Sequence, residues 1–199
     1  MDLITLQNHN EKKLVKDVLL HPLKINKDES GTLVETLRSD WSGIYGNGRE
    51  FAMQYYSQTP SGLARDEDVW HYHPDQEDRF IVVDGEIVAA VADSRKGSET
   101  EGLLNLFYMK ADESPFILLI PKQTLHGYMV VSETPAILLN FPTRLYDPSE
   151  EVRIPHEEAN IKLPNGEPFR WSLVRKEFPA LPSDRGFSPR PAGRSVPNT

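Results

Sequence analysis

The run Arg79-Phe-Ile-Val-Val-Asp84-Gly85-Glu-Ile-Val-Ala-Ala-Val91 commits this chain to β structure. Its two halves are rich in β-branched residues and too short for helices, and the Asp-Gly pair between them suits a two-residue type I′ turn. An antiparallel hairpin is the expectation. From Val18 to Phe141, short apolar or alternating runs recur between clusters of Gly, Pro, Asp and Ser. Further strands are predicted at 50–57, 68–73, 103–109, 116–120, 127–131 and 135–141. Turn chemistry falls at Gly97 to Gly102, Asp112 to Pro115 and Pro121 to Thr124. No internal repeat at a fixed period is visible, so regularly spaced short strands predict an all-β sandwich or barrel.

At 199 residues the chain has the length of one domain. Residues 1–17 are polar and without sustained period, and read as an N-terminal arm. Residues 18–178 hold the barrel and a short helical or irregular piece, WSLVRKEF, that packs back on it. Residues 179–199, with Pro179, Pro182, Pro189, Pro191 and Pro197 and few apolar side chains, read as a flexible Pro/Arg-containing tail. With no cysteine, the chain offers no thiolate nucleophile, and any metal must rest on His, Asp or Glu. The stretch MDLITLQNHNEKK lacks the apolar core of a secretory signal and no window reaches a membrane span, so a cytoplasmic protein without a membrane partner is expected. A formal charge of −8 argues against a nucleic-acid partner.

The chemistry concentrates on histidine. His71 and His73 are two apart, which sends both imidazoles to one face of a strand; Glu77 follows, and His126 lies beyond the turn that begins at Pro121. Three imidazoles and a carboxylate converging from neighbouring strands form a ligand set for Zn, Fe, Mn or Ni. His156 and His21 stand beside prolines in irregular segments, where exposure is expected.

These residues resemble the cupin superfamily. The first cupin motif is matched by His71, His73, Glu77 and Gly85, with one residue more than the pattern before the glycine. The second is matched by Pro121, Gln123 and His126, with Val130 where Asn is usual. An extra residue in a strand turns a side chain to the other face unless a bulge absorbs it. The resemblance implies a jelly-roll double-stranded β-barrel with a short irregular or helical C-terminal segment.

A longer series is similar to the dTDP-4-dehydrorhamnose 3,5-epimerase family of cupins. It runs through Asp28-Glu-Ser-Gly31 with Glu35, His71-Tyr72, Gln76, Val83-Asp-Gly85-Glu86, Ala90-Val-Ala-Asp93-Ser-Arg95, Ser98-Glu-Thr-Glu-Gly102, Ile120-Pro121, His126-Gly127-Tyr128 and Tyr146-Asp-Pro148 with Glu151. The resemblance implies a homodimeric enzyme, working without a cofactor, that abstracts a proton alpha to the carbonyl of an activated keto-sugar. His71 takes the position of the base and Glu177 that of its acidic partner. Asn140 stands where the family has a catalytic tyrosine, and as an amide it can donate to an enolate oxygen but cannot deliver a proton. Tyr72, His73, Gln76, Arg79, His126, Tyr128 and Tyr146 form the expected substrate-binding set.

The chain departs from the family elsewhere too. His73 replaces the usual Gln, and Ser30, Asp68 and Asp78 stand where Arg, Arg and Lys are expected. Either Arg65, Arg79, Lys122 or Arg144 meets a phosphate, or the ligand is less anionic than a nucleotide-diphosphate sugar. Two other readings stand beside the epimerase: a metal-dependent isomerase, lyase or oxygenase using His71, His73, Glu77 and His126 with a divalent ion, and a non-catalytic sugar-binding cupin.

Overall fold

The computed structural model describes residues 1–46 and 48–179, so all of the 179–199 segment except Pro179 lies outside the described residues. Along the chain the strands are β1 Leu3–Ile4, β2 Leu19–Pro22, β3 Ile25–Asp28, β4 Gly31–Val34, β5 Tyr55–Thr59, β6 Val69–Tyr72, β7 Asp78–Asp84, β8 Glu86–Ala92, β9 Leu104–Lys110, β10 Phe116–Ile120, β11 Leu125–Val130, β12 Ala136–Asn140 and β13 Val152–Pro155. Among the described residues there are also three short α-helices, α1 Ser42–Tyr45, α2 His156–Ala159 and α3 Trp171–Glu177, and two single 3-10 turns at His9–Glu11 and Pro148–Glu150. One sheet runs β1-β9-β8-β11-β6-β13 and a second runs β2-β10-β7-β12-β5; β3 and β4 form a separate hairpin. This is the all-β cupin barrel that the sequence implied. Among the described residues, no helix is long and apolar enough to cross a membrane.

Period-2 alternation divides each strand between two environments. Ile87, Ala89, Val91, Phe107, Met109, Tyr128 and Val130 of the six-stranded sheet meet Phe80, Val82, Phe116, Leu118, Ile120 and Leu138 of the five-stranded sheet in one core. The intervening residues Val88, Ala90, Ala92, Leu125 and Met129 face outward, and Phe169, Trp171 and Val174 of the C-terminal segment cover them. Trp171 and Val174 lie three apart and therefore share one side of α3. On the outside of the five-stranded sheet, Ile81, Ile117 and Leu119 are covered by Ile44, Tyr45 and Phe141.

The expected hairpin at Asp84-Gly85 is not formed. β7 pairs with β10 and β12, whereas β8 pairs with β9 and β11, so the two runs belong to different sheets. Gly85 alone joins them at φ +75°, and a Cβ there would sit 2.8 Å from Ser132 Oγ and 2.9 Å from Ala136 Cβ. Asp84 keeps an ordinary negative φ, which a type I′ turn does not allow. The dipeptide is a corner that carries the chain from one layer to the other.

The strand predicted over 50–57 forms later, at Tyr55–Thr59. Arg79, fully buried, donates to the carbonyls of Ile44 at 3.1 Å, Arg49 at 2.7 Å, Glu50 at 3.4 Å and Phe141 at 2.6 Å. Its guanidinium lies 4.5 Å from the Tyr45 ring centre. The backbone at 49–50 is therefore occupied as a cradle for Arg79 rather than as a ladder.

Candidate active site

His71 and His126 are directly opposite each other on antiparallel β6 and β11, so the strand register places their imidazoles side by side on the inner face. His73 follows just beyond β6, and its carbonyl accepts the Gln123 N–H at 2.7 Å, which ties it to the turn before β11. All three line a cavity of about 640 Å³ between the sheets, together with Tyr55, Arg65, Asp66, Gln76, Asp78, Tyr128, Tyr146, Glu150, Glu151 and Arg153. The histidines, Gln76, Tyr128 and Tyr146 of the expected set thus meet at one place.

His71 Nε2 lies 3.3 Å from Asp66 Oδ2 and 3.6 Å from Glu151 Oε1. His71 Nε2 is buried and meets no group with hydrogen-bond geometry among the described residues, so the two carboxylates act on it as neighbouring negative charges; these favour the neutral tautomer with its proton on Nε2 and its lone pair on Nδ1. Burial works against the Asp66 charge, but His71, Arg153 and Arg65 outweigh it and hold this carboxyl below its usual range. Asp66 is not marked in the sequence, and Glu151 is marked only as part of the family resemblance, not as a partner of His71. Asp66 sits in the segment before β6 and Glu151 before β13, and only the pairing of β13 with β6 brings Glu151 alongside.

Glu177, the expected partner of His71, is elsewhere. It ends α3 on the outer side of the six-stranded sheet, where its Oε2 accepts from the Met1 amine at 3.0 Å. There it borders a separate cavity of about 820 Å³ with Lys12, Leu104 and Lys176. Two further members of the expected set are also displaced by strand alternation. Tyr72 points outward and packs in the layer beneath the C-terminal segment. Arg79 is sealed beneath the 44–50 segment and is no substrate ligand.

Asn140 is fully buried and its amide is spent. Oδ1 accepts the Arg79 N–H at 3.0 Å, while Nδ2 donates to Asp78 Oδ1 at 2.9 Å and to the Tyr55 hydroxyl at 2.9 Å. An amide has two N–H donors, so none remains for an enolate, and the role expected for Asn140 is corrected. The hydroxyl that it positions is the available donor. Tyr55 accepts from Asn140 and keeps its own proton for the cavity. Burial first, then the charge of Asp78, pushes its phenol up to about 12. Sequence alone did not mark Tyr55, because only the β5–β12 register sets it against Asn140.

Asp78, not Glu77, is the carboxylate among the histidines. The extra residue before Gly85 has the consequence that alternation demands: Glu77 turns away to pair with Arg49 Nε at 2.7 Å. Asp78 Oδ2 lies 3.3 Å from both His73 Nε2 and His126 Nε2. Its Oδ1 accepts from Gln76 Nε2 at 2.9 Å as well as from Asn140. Burial opposes its charge, yet His126 and His73 hold Asp78 well below the usual carboxylate range. Burial likewise opposes the charged form of His73, and Asp78 outweighs it, so this imidazole is held above its ordinary value.

Comparison with known proteins gives consistent results. The family model of dTDP-4-dehydrorhamnose 3,5-epimerase matches residues 12–179. The chain is 37% identical over 147 residues to the "Probable low-salt glycan biosynthesis epimerase Agl13" of Haloferax volcanii, covering 72% of this chain and 89% of the relative. It is 30% identical over 161 residues to the "Spore coat polysaccharide biosynthesis protein SpsL" of Bacillus subtilis, covering 80% and 97% respectively. The fold is shared with a dTDP sugar isomerase from Desulfovibrio desulfuricans G20 at a TM-score of 0.68 and 24% identity, over 79% of this chain and 92% of that one.

Proposed function

This chain belongs to the dTDP-4-dehydrorhamnose 3,5-epimerase family, and from that premise we propose that it epimerises or isomerises a nucleotide-linked keto-sugar by proton abstraction at His71. The observation that carries the reading is the placement of His71 Nε2 against Asp66 and Glu151 inside the inter-sheet cavity. The carboxylates fix the tautomer, and Nδ1 removes the proton next to the ketone while the electron pair moves to the carbonyl oxygen as an enolate. Tyr55 faces His71's sheet from the five-stranded sheet and is the proton donor from the opposite side, which is what inversion at a carbon requires. Gln76, His126, Tyr128 and Tyr146 border the sugar.

Arg65 and Arg153 are the guanidinium groups on the cavity wall, and they support recognition of a diphosphate. The names of both curated relatives place them in glycan or polysaccharide biosynthesis, which supports an activated sugar as substrate here. The same reading makes the protein a cytoplasmic homodimer, which light scattering in solution checks, and the step at His71 itself calls on no cofactor.

The decisive experiment follows solvent deuterium entering dTDP-4-dehydrorhamnose by NMR. Wild type is expected to exchange the protons beside the ketone and His71→Asn to lose that exchange. Equal exchange by both would remove His71 as the base.

A further inference from the structure

We propose that His73, Asp78 and His126 hold a divalent transition metal at the inner end of the inter-sheet cavity. The ligand atoms of these three side chains lie within 4.8 Å of one another. His73 Nδ1 is 2.8 Å from the Glu150 carbonyl and His126 Nδ1 is 3.1 Å from the Thr124 carbonyl. A carbonyl only accepts, so each ring carries a proton on Nδ1 and, when neutral, a lone pair on Nε2. Both Nε2 atoms lie 3.3 Å from one carboxylate oxygen, Asp78 Oδ2. Three electron-rich atoms facing one point need a positive occupant there.

The spacing admits a metal. Both Nε2···Oδ2 separations are 3.3 Å. The same separation stands between His71 Nε2 and Asp66 Oδ2, where a proton is assigned, so it is the convergence of two imidazoles on one carboxylate oxygen, and not the distance alone, that points to a metal. Two ligands each about 2.1 Å from a tetrahedral ion stand roughly 3.4 Å apart. The outer contacts fit as well: backbone carbonyls set both rings, and Gln76 and Asn140 hold Asp78 Oδ1 so that Oδ2 faces the imidazoles.

Two imidazoles and one carboxylate suit Zn, Fe, Mn or Ni rather than Mg or Ca. Three protein ligands leave room for a substrate oxygen on the cavity side, where an ion would act as a Lewis acid. His71 and Glu77 are not ligands, since they face Asp66 and Arg49. His73, Asp78 and Asn140, three of the departures from the family pattern, all converge on this point. The inference goes beyond the proton abstraction assigned to His71 and does not depend on it.

The test uses the full chain, purified without an affinity tag or chelator and assayed for Zn, Fe, Mn and Ni by mass spectrometry. Chelator-stripped protein is then titrated with Zn²⁺ by calorimetry and with Co²⁺ by visible absorption. Wild type and His71→Asn are expected to take up one equivalent, and Asp78→Asn and His126→Asn to lose it. His73→Gln, at a less buried position, serves if either of those variants fails to fold, and is expected to lose it too. Binding should also weaken about 10–100-fold in Gln76→Leu, which removes a donor from Asp78 Oδ1. Wild-type protein that takes up neither ion would overturn the proposal, leaving a shared proton at Asp78. Uptake undiminished in folded Asp78→Asn, His126→Asn or His73→Gln protein overturns it equally, by placing the metal elsewhere. Neither result bears on deuterium exchange at His71.

Discussion

Tyr55 stands directly across the β5–β12 pair from Asn140, and its hydroxyl accepts the Asn140 Nδ2 hydrogen bond at 2.9 Å. On the proposed mechanism, the phenol that the family pattern puts on β12 is answered from the neighbouring strand. With its phenol pushed up to about 12, Tyr55 remains a neutral donor across the physiological range. Tyr55→Phe is expected to lower kcat about 10²–10³-fold with little change in KM, as loss of a single transition-state donor does. The substitution also leaves one buried Asn140 N–H unpaired, at a cost of about 1–3 kcal/mol. Thermal unfolding of the variant separates the two effects, and an unchanged kcat in folded Tyr55→Phe protein removes Tyr55 from the reaction.

A second expectation concerns the partner of the base. Asp66→Asn keeps the size of the side chain but removes the charge that favours the Nε2-protonated tautomer of His71. Its kcat is expected to fall about 10²-fold or more. Glu151→Gln is expected to cost less, since Glu151 is farther from the ring, at 3.6 Å, and is shared with Arg153 at 2.7 Å. Glu177→Gln should leave kcat unchanged, because Glu177 pairs with the Met1 amine on the far side of the sheet. Steady-state assays of the three variants rank them, and a large loss confined to Glu177→Gln would reverse the assignment.

How much of this was legible in the sequence depends on what each inference required. Spacing alone put His71 and His73 on one face, and the turn at Pro121 delivered His126 opposite them. Those inferences need only local periodicity. The hairpin at Gly85 failed because a positive-φ glycine between two apolar runs suits a corner between layers as well as a turn, and only the contact with Ala136 decides. Asp78 was hidden by one inserted residue, which exchanged the faces of positions 77 and 78. Tyr55 and Glu151 enter through pairings between strands distant in sequence, which no local pattern records, and Asp66 reaches His71 from an irregular segment with no period to mark it. The strand Val152–Pro155 was missed for the same reason: without β6 beside it, its backbone has no partner and its composition reads as loop.

Arg65 is expected to carry the affinity for phosphate. It borders the cavity, and its guanidinium forms no ion pair or side-chain hydrogen bond among the described residues, whereas Arg153 is engaged by Glu151. Arg65→Ala should raise KM for a nucleotide-diphosphate sugar about 10-fold or more while leaving kcat nearly intact, the pattern of lost uniform binding. The difference between wild type and variant should shrink as salt is added. Kinetics in two salt concentrations check this, and an unaltered KM would mean that the diphosphate is held elsewhere.

The buried histidine beneath the C-terminal segment makes stability depend on pH. His156, at 4% exposure, packs 5.0 Å from the Trp70 ring and 5.5 Å from the Phe169 ring, and neither of its ring nitrogens has a hydrogen-bond partner among the described residues. Burial first, then the charge of Arg170, lowers its pKa from 6.5, with Asp68 opposing. A base whose folded pKa is depressed is stabilised as the neutral ring. Its contribution is fully present above about pH 6.5 and is lost as pH falls below that value, because protonation then favours the unfolded chain. Each unit of depression is worth about 1.4 kcal/mol at the acid end. The thermal midpoint of wild type should therefore drop more steeply between about pH 6.5 and 5 than that of His156→Phe, which keeps the aromatic packing and removes the titration. Parallel slopes for the two proteins in that window would show that His156 is not the group responsible.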